Sequence, residues 1–237
     1  MSTIYPSLEH PWDVTSEEAK AIQSQLAPLV TETPLTSPIL TVAGIDVSFP
    51  TNDVARAAIV VLSYPDQTPL EQVTAQLPVR FPYIPGLLSF RETPVVLEAL
   101  KKLNTLPDVL ICDAQGRAHF RRLGLASHLG ILLDHPTIGC AKSRLVGTFH
   151  MPDQEKGSST WLYDNRDDEE IIGAVVRTRT RVSPVYVSVG HKIDLPTAIE
   201  VVLTCALKYR LPEPTRLAHQ VAGGAQVVPQ EEQLSLF

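Results

Sequence analysis

Residues 107–114 read PDVLICDA. From Val109 to Cys112 every side chain is apolar, and in a strand successive side chains face opposite sides of the sheet. Such a run is stable only where both faces are covered, so it marks an interior strand and excludes an edge. It ends abruptly in an acid, Asp113. A chain of 237 residues, 44% of them hydrophobic, can bury the core that such a strand requires. One domain is expected over residues 1–222, with 223–237 as a flexible tail. Gly and Pro are spread over many short connections, and no internal repeat is visible.

The other elements follow from periodicity. Thr15 and Glu18 make a capping box for a helix with Ala19, Ile22 and Leu26 at helical spacing. Three strand-like runs, 39–49, 56–64 and 70–79, are joined by Pro, Asp and Asn turns and suggest an antiparallel meander. Thr93 and Pro94 read as the N-cap and first position of a second helix. Its stripe is Val95, Val96, Ala99, Leu100 and Leu103, opposite Glu98, Lys101 and Lys102. A short helix is expected over 127–133, strands over 136–142, 170–180 and 184–190, and a helix from about Leu195 to Tyr209. A meander followed by alternating helices and strands makes an α/β or α+β fold around a mixed sheet.

Net charge is −6, which argues against a generally basic nucleic-acid binder, but the charge is uneven. Residues 114–150 hold Arg117, Arg121, Arg122, Lys142 and Arg144 against the single acid Asp134, whereas 164–170 is an acidic run. One face is expected to be locally positive. Cys112, Cys140 and Cys205 lie among apolar neighbours without CxxC spacing, as reduced, buried thiols do. Residues 1–29 do not read as a signal peptide and no apolar run reaches membrane length, so a soluble, cytoplasmic protein is expected.

Two acids stand where an apolar core should be. Asp46 interrupts the first strand and Asp113 ends the buried one, and an unpaired buried carboxylate costs several kcal/mol unless it is neutralised, paired or bound to a cation. Glu92 falls at the expected mouth of the second helix, where the helix dipole favours an anion; a Ser89–Glu92 capping box is the plainer reading. Singly each acid is ambiguous. Together, three oxygen donors suit Mg²⁺ or Mn²⁺, which orient a phosphodiester and lower the pKa of an attacking water.

The segments AGIDVSF, FPYIPGLLSFRE, PDVLICDAQG, AHFRRLGLASHLG, PTIGCAKSRLVGTF, VSVGHKID and LPEPTRLAH occur in this order over roughly residues 39–220. In sequence and spacing the chain resembles endonuclease V, the deoxyinosine 3′ endonuclease family. The resemblance implies a ribonuclease H-like mixed β-sheet flanked by helices. It implies hydrolysis of the second phosphodiester bond 3′ to a deaminated adenine in DNA, leaving 3′-hydroxyl and 5′-phosphate ends. Asp46, Glu92 and Asp113 match the family's metal-binding acids, Lys142 a lysine at the scissile region and His219 a further active-site position. Tyr83 matches a wedge that enters the duplex, on a loop stiffened by Pro82 and Pro85 around Ile84. Gly86, Leu88, Gly116, His119, Gly124 and Leu125 match positions lining the pocket for the flipped base. Ala114 stands where the family often has Gly, and Phe120 where it often has Pro.

The chain ends QLSLF, Gln233, Leu234, Ser235, Leu236 and Phe237, after a Gly-containing linker. This pentapeptide resembles the bacterial sliding-clamp-binding motif; docking on the protein's own core is the alternative. The expected protein is a monomeric, Mg²⁺-dependent DNA repair endonuclease. An inosine-specific ribonuclease, or a lesion-binding protein that does not cut, are the competing readings.

Overall fold

The computed structural model describes residues 4, 6–167 and 169–228. Helix α1 (Ser16–Leu26) begins as its sequence dictates: the Thr15 side chain accepts from the Glu18 amide, and the Glu18 carboxylate accepts from the Thr15 amide at 2.8 Å. A single 3₁₀ turn, Ala27–Leu29, closes it. The meander follows as β1 (Thr41–Thr51), β2 (Val54–Ser63) and β3 (Pro69–Pro78), antiparallel throughout. On its other side β1 pairs in parallel with β4 (Val109–Cys112), and β4 in parallel with β5 (Thr137–Ala141). β8 (Val185–His191), β7 (Ile171–Val176) and β6 (Ser159–Tyr163) extend the sheet antiparallel, giving the order β3-β2-β1-β4-β5-β8-β7-β6. This mixed, helix-flanked sheet is the ribonuclease H-like fold.

Strand β4 is covered on both faces, as its unbroken apolar run requires. Val109 and Ile111 join the core beneath helices α4 (Leu195–Cys205) and α5 (Glu213–Ala222). Leu110 and Cys112 join the opposite core, beneath α2 (Leu88–Leu100) and α3 (Leu125–Leu133). β2 divides in the same way, with Ala58, Val60 and Leu62 on one side and Ala57, Ile59 and Val61 on the other. The three cysteines are free and buried. Among the described residues no helix is long and apolar enough to cross a membrane.

The start of α2 differs from the expectation. Thr93 is not the N-cap; the helix begins at Leu88, and Pro94 lies inside it. A proline there deletes one backbone hydrogen bond and costs about 3 kcal/mol. Burying Leu87 and Phe90 against Phe81 and Ala19 returns about 1.5–3 kcal/mol for each large side chain, enough to carry the helix through the proline. Glu92 therefore sits in the second turn and not at the helix mouth, and the Ser89–Glu92 capping box does not form: Ser89 is helical, and its buried Oγ has no partner.

Helix α4 stops at Cys205, short of Tyr209. Its buried stripe, Ala198, Val201, Val202 and Cys205, would next bring Lys208 to the core, which a charged side chain does not accept. Strand β6 and helix α5 are additions to the expected elements. The uneven charge is partly cancelled within the fold: Arg122 pairs with Asp164 and Glu170, each at 2.7 Å, and Arg117 with Glu170 at 3.2 Å.

His10 and His128 face each other, Nε2 to Nε2 at 2.6 Å, inside a cluster with Trp12 and Phe90. Such a contact needs one N–H donor and one bare acceptor nitrogen, so at least one of the two rings is neutral. Burial, with His10 alongside, pushes His128 down to about 3. Below pH 6.5 the unfolded chain binds a proton that the native state refuses, so stability falls as pH falls. Between pH 8 and pH 5 chemical denaturation should show a loss of about 2 kcal/mol from His128 alone, and His128→Phe should flatten that slope.

Candidate active site

β1, β4 and β5 run parallel and side by side, so their carboxyl ends share one edge, where open sheets of this kind form their crevices. The last β1–β4 pair is Ile45 with Cys112, and the Asp113 amide still donates to the Ile45 carbonyl at 3.2 Å. Asp46 and Asp113 thus stand together at the point where the two strands part. Lys142 directly follows Ala141, the last residue of β5, and its ammonium forms an ion pair with Asp113.

The other two groups come from opposite faces of the sheet. A Cβ on Gly44 would lie 2.0 Å from the Pro214 carbonyl carbon, so only glycine lets the first turn of α5 press against β1. One turn later α5 presents His219, whose Nδ1 lies 3.0 Å from Asp46 Oδ2. From the far side α2 inserts Glu92, which is buried. Burial first, then the carboxylates of Asp46 and Asp113, push Glu92 up to about 8, so at pH 7 it is mostly protonated. Burial also raises Asp46, partly offset by the hydrogen bond from His219.

Three carboxyl groups that repel one another in a partly dry depression invite positive charge. Lys142 supplies some of it through its ion pair with Asp113, and His219 adds a hydrogen bond to Asp46. Among the described residues no three His, Cys, Asp or Glu side chains close into a ready-made ligand shell. The donors nevertheless fit a hard divalent cation: all are carboxylate oxygens, and a cation would favour the ionised form of Glu92.

The acids, Lys142 and His219 line a cavity of about 560 Å³ together with Tyr83, Ile84, Pro85, Gly86, Leu88, His119, Gly124 and Leu125. Tyr83, 69% exposed, stands at its rim, with exposed Pro82 beside it but not lining it. The loop's rigidity has a second source besides its prolines: Phe81 and Leu87 are buried against α1, and Arg91 Nη1 donates to the Phe81 carbonyl at 2.9 Å. His119 lies 3.0 Å from the Gly86 carbonyl through Nε2, while Nδ1 accepts from the Arg121 amide. Burial, with Arg121 nearby, lowers His119 to about 4 and keeps the ring neutral. Ala114 lines the cavity, and Phe120 is largely exposed.

Gly116 does not line the cavity; its amide donates to Ser188 Oγ at 2.9 Å. Gln115 and Gln23 are among the lining residues that escaped the reading of the sequence. For Gln23 there was a signal, because it lies four residues after Ala19 and shares the apolar face of α1. The pentapeptide Gln233–Phe237 lies outside the described residues.

An acid-lined cavity at the strand ends of this sheet marks the chain as a nuclease of the ribonuclease H-like class. The family model for endonuclease V matches residues 24–220, and the chain belongs to that family. It is 52% identical over 216 residues to endonuclease V of Nostoc punctiforme, covering 90% of this chain and 96% of that one. The crystal structure of Streptomyces avermitilis endonuclease V superposes with a TM-score of 0.85 at 40% identity, covering 94% and 96%. Ciona intestinalis endonuclease V, solved with a 24mer DNA containing an inosine followed by a ribo-adenosine, superposes with a TM-score of 0.75 at 29% identity, covering 87% and 95%.

The protonated state of Glu92 has a measurable consequence. In chelator at pH 7, Glu92→Gln replaces a neutral acid by a neutral group of the same shape and should leave the unfolding free energy within about 1 kcal/mol of the parent, or raise it. A larger loss on denaturation would mean that Glu92 is ionised and paired in the native state.

Proposed function

We propose that this chain is a cytoplasmic DNA repair endonuclease that recognises deoxyinosine and hydrolyses the second phosphodiester bond on its 3′ side. The observation that carries this reading is that Asp46, Glu92 and Asp113 line the same cavity as the Tyr83 loop. The inosine-containing DNA bound by the Ciona relative supports the same class of ligand.

Asp46, Glu92 and Asp113 would hold Mg²⁺, with Mn²⁺ able to substitute. When bound, the ion supplies Lewis acidity at the phosphate and lowers the pKa of the attacking water. Glu92 must lose its proton to become a ligand, and the nearby charge of Arg91 favours that loss. Lys142, paired with Asp113, offsets negative charge at the scissile phosphate. His219, tied to Asp46 through Nδ1, has Nε2 left for proton transfer. Tyr83, on the loop of Pro82, Ile84 and Pro85, stacks where the extruded base has left. Extrusion costs a few kcal/mol and is easiest for a weakly paired base such as hypoxanthine, which selects the lesion before any contact to it. Gly86, Leu88, His119, Gly124 and Leu125 surround the base, with Gly116 packed behind them.

A second reading, cleavage at inosine in RNA, is favoured by one observation: the nucleic acid in the Ciona complex carries a ribo-adenosine directly after its inosine. Side-by-side assays on deoxyinosine duplex and inosine RNA, with Mg²⁺ and with chelator, separate the two. Mg²⁺-dependent nicking of the duplex is expected, and Asp113→Asn should reduce it by at least about 100-fold. Unchanged nicking by Asp113→Asn defeats the metal assignment; preference for RNA transfers the activity to the second reading; lesion binding without any cut leaves a non-cleaving binder.

The protein is proposed to act as a monomer, and its terminal residues Gln233, Leu234, Ser235, Leu236 and Phe237 to bind the bacterial sliding clamp, which would raise the local concentration of the nuclease on DNA. Deleting these five residues should abolish clamp pull-down and spare nicking by the free enzyme. Loss of folding on deletion would instead indicate docking on the core.

A further inference from the structure

Gln23 is a buried polar side chain, 1% exposed, in the middle of α1. Its Nε2 donates to the Gly86 carbonyl and to the Leu123 carbonyl, each at 3.1 Å. Its Oε1 accepts from Arg121 Nε at 2.6 Å. Arg121 then reaches the Gly86 carbonyl with Nη2 at 2.8 Å, and His119 Nε2 lies 3.0 Å from the same oxygen. Gly86 has φ +79, a conformation that side-chain-bearing residues rarely adopt. One carbonyl in the wedge loop is thereby surrounded by three side-chain nitrogens.

We propose that Gln23, acting with Arg121, is a positioning residue that ties the two walls of the base cavity together and so sets its selectivity for the lesion. One wall is the loop carrying Tyr83 and Gly86, and the other runs from Leu123 through Gly124 to Leu125. Gln23 spans them with a single amide, and Gln23, Gly86, Gly124 and Leu125 all line the cavity. Among the described residues Arg121 has no carboxylate partner, so its hydrogen bonds serve this brace alone. None of these bonds reaches Asp46, Glu92 or Asp113. The brace therefore acts on how the base is held and not on the cutting step. The inference rests on the reading that the cavity takes an extruded purine.

A methionine at position 23 matches glutamine in length and keeps the packing while removing all three hydrogen bonds. Gln23→Met and Arg121→Met should be compared with the parent protein on a duplex with one deoxyinosine and on the same duplex undamaged, under single-turnover conditions with Mg²⁺. The half-saturating concentration on the lesion should rise about 10- to 100-fold while the rate at saturation stays within about 3-fold, because positioning is lost and the cutting groups are not. Affinity for undamaged duplex should not change, and the double variant should lose no more than the worse single one, since both act on one carbonyl. A fall in the saturated rate with unchanged half-saturation, or an equal loss on undamaged duplex, overturns the proposal and leaves Gln23 with a purely structural role. Should Gln23→Met fail to fold, Arg121→Met, at the half-exposed end of the brace, decides by the same criteria. A parent protein that leaves the lesion uncut overturns the proposed activity instead, and the ratio of lesion to undamaged binding, which needs no cleavage, still decides the brace.

Discussion

Asp46, Glu92 and Asp113 repel one another, and the surrounding fold is what keeps them together. Two are placed by the β1–β4 ladder, which parts just after Ile45 and Cys112, and the third by a helix that runs through its own proline. The cost appears as the raised pKa of Glu92, which a buried, crowded acid adopts because the alternative is an uncompensated charge. Lys142 and His219 relieve part of it from the ends of β5 and α5. Such stored repulsion is what a divalent cation can convert into binding energy, and a sheet edge that assembled these acids without that return would be a liability.

The loop over these acids is stiff for reasons of packing as well as composition. Phe81 and Leu87 are sunk into the cluster on α1, leaving Tyr83 as the projecting group. Helix α1 thus holds the loop twice, through its apolar face and through Gln23. In the wedge role proposed for Tyr83, a loop that arrives already ordered would lose less conformational entropy on entering a duplex.

Much of this was legible in the amino-acid order, and what was not has physical causes. The interior position of β4 follows from four apolar residues in a row, and Asp46 and Asp113 stand out because charge is costly in such strands. The start of α2 was misjudged because Pro94 is the strongest local signal, whereas the burial of Leu87 and Phe90 that overrules it is tertiary. That Glu92 meets the other two acids depends on α2 crossing one face of the sheet, which no spacing encodes. Helix α5 has Pro214, Leu217, Ala218 and Val221 at helical intervals and was readable in principle; its approach to β1 through Gly44 was not. The positive face inferred from uneven charge is reduced by pairing of Arg117 and Arg122 with the acidic run.

The central claim is that the three acids share one divalent ion. A crystal of the protein soaked in Mn²⁺, with the ion located by its anomalous scattering, tests it most directly. The account predicts a peak with oxygen atoms of Asp46, Glu92 and Asp113 at roughly 2.0–2.2 Å. A peak elsewhere, or an ion held by Asp46 and Asp113 while Glu92 keeps its proton and stays apart, would contradict it.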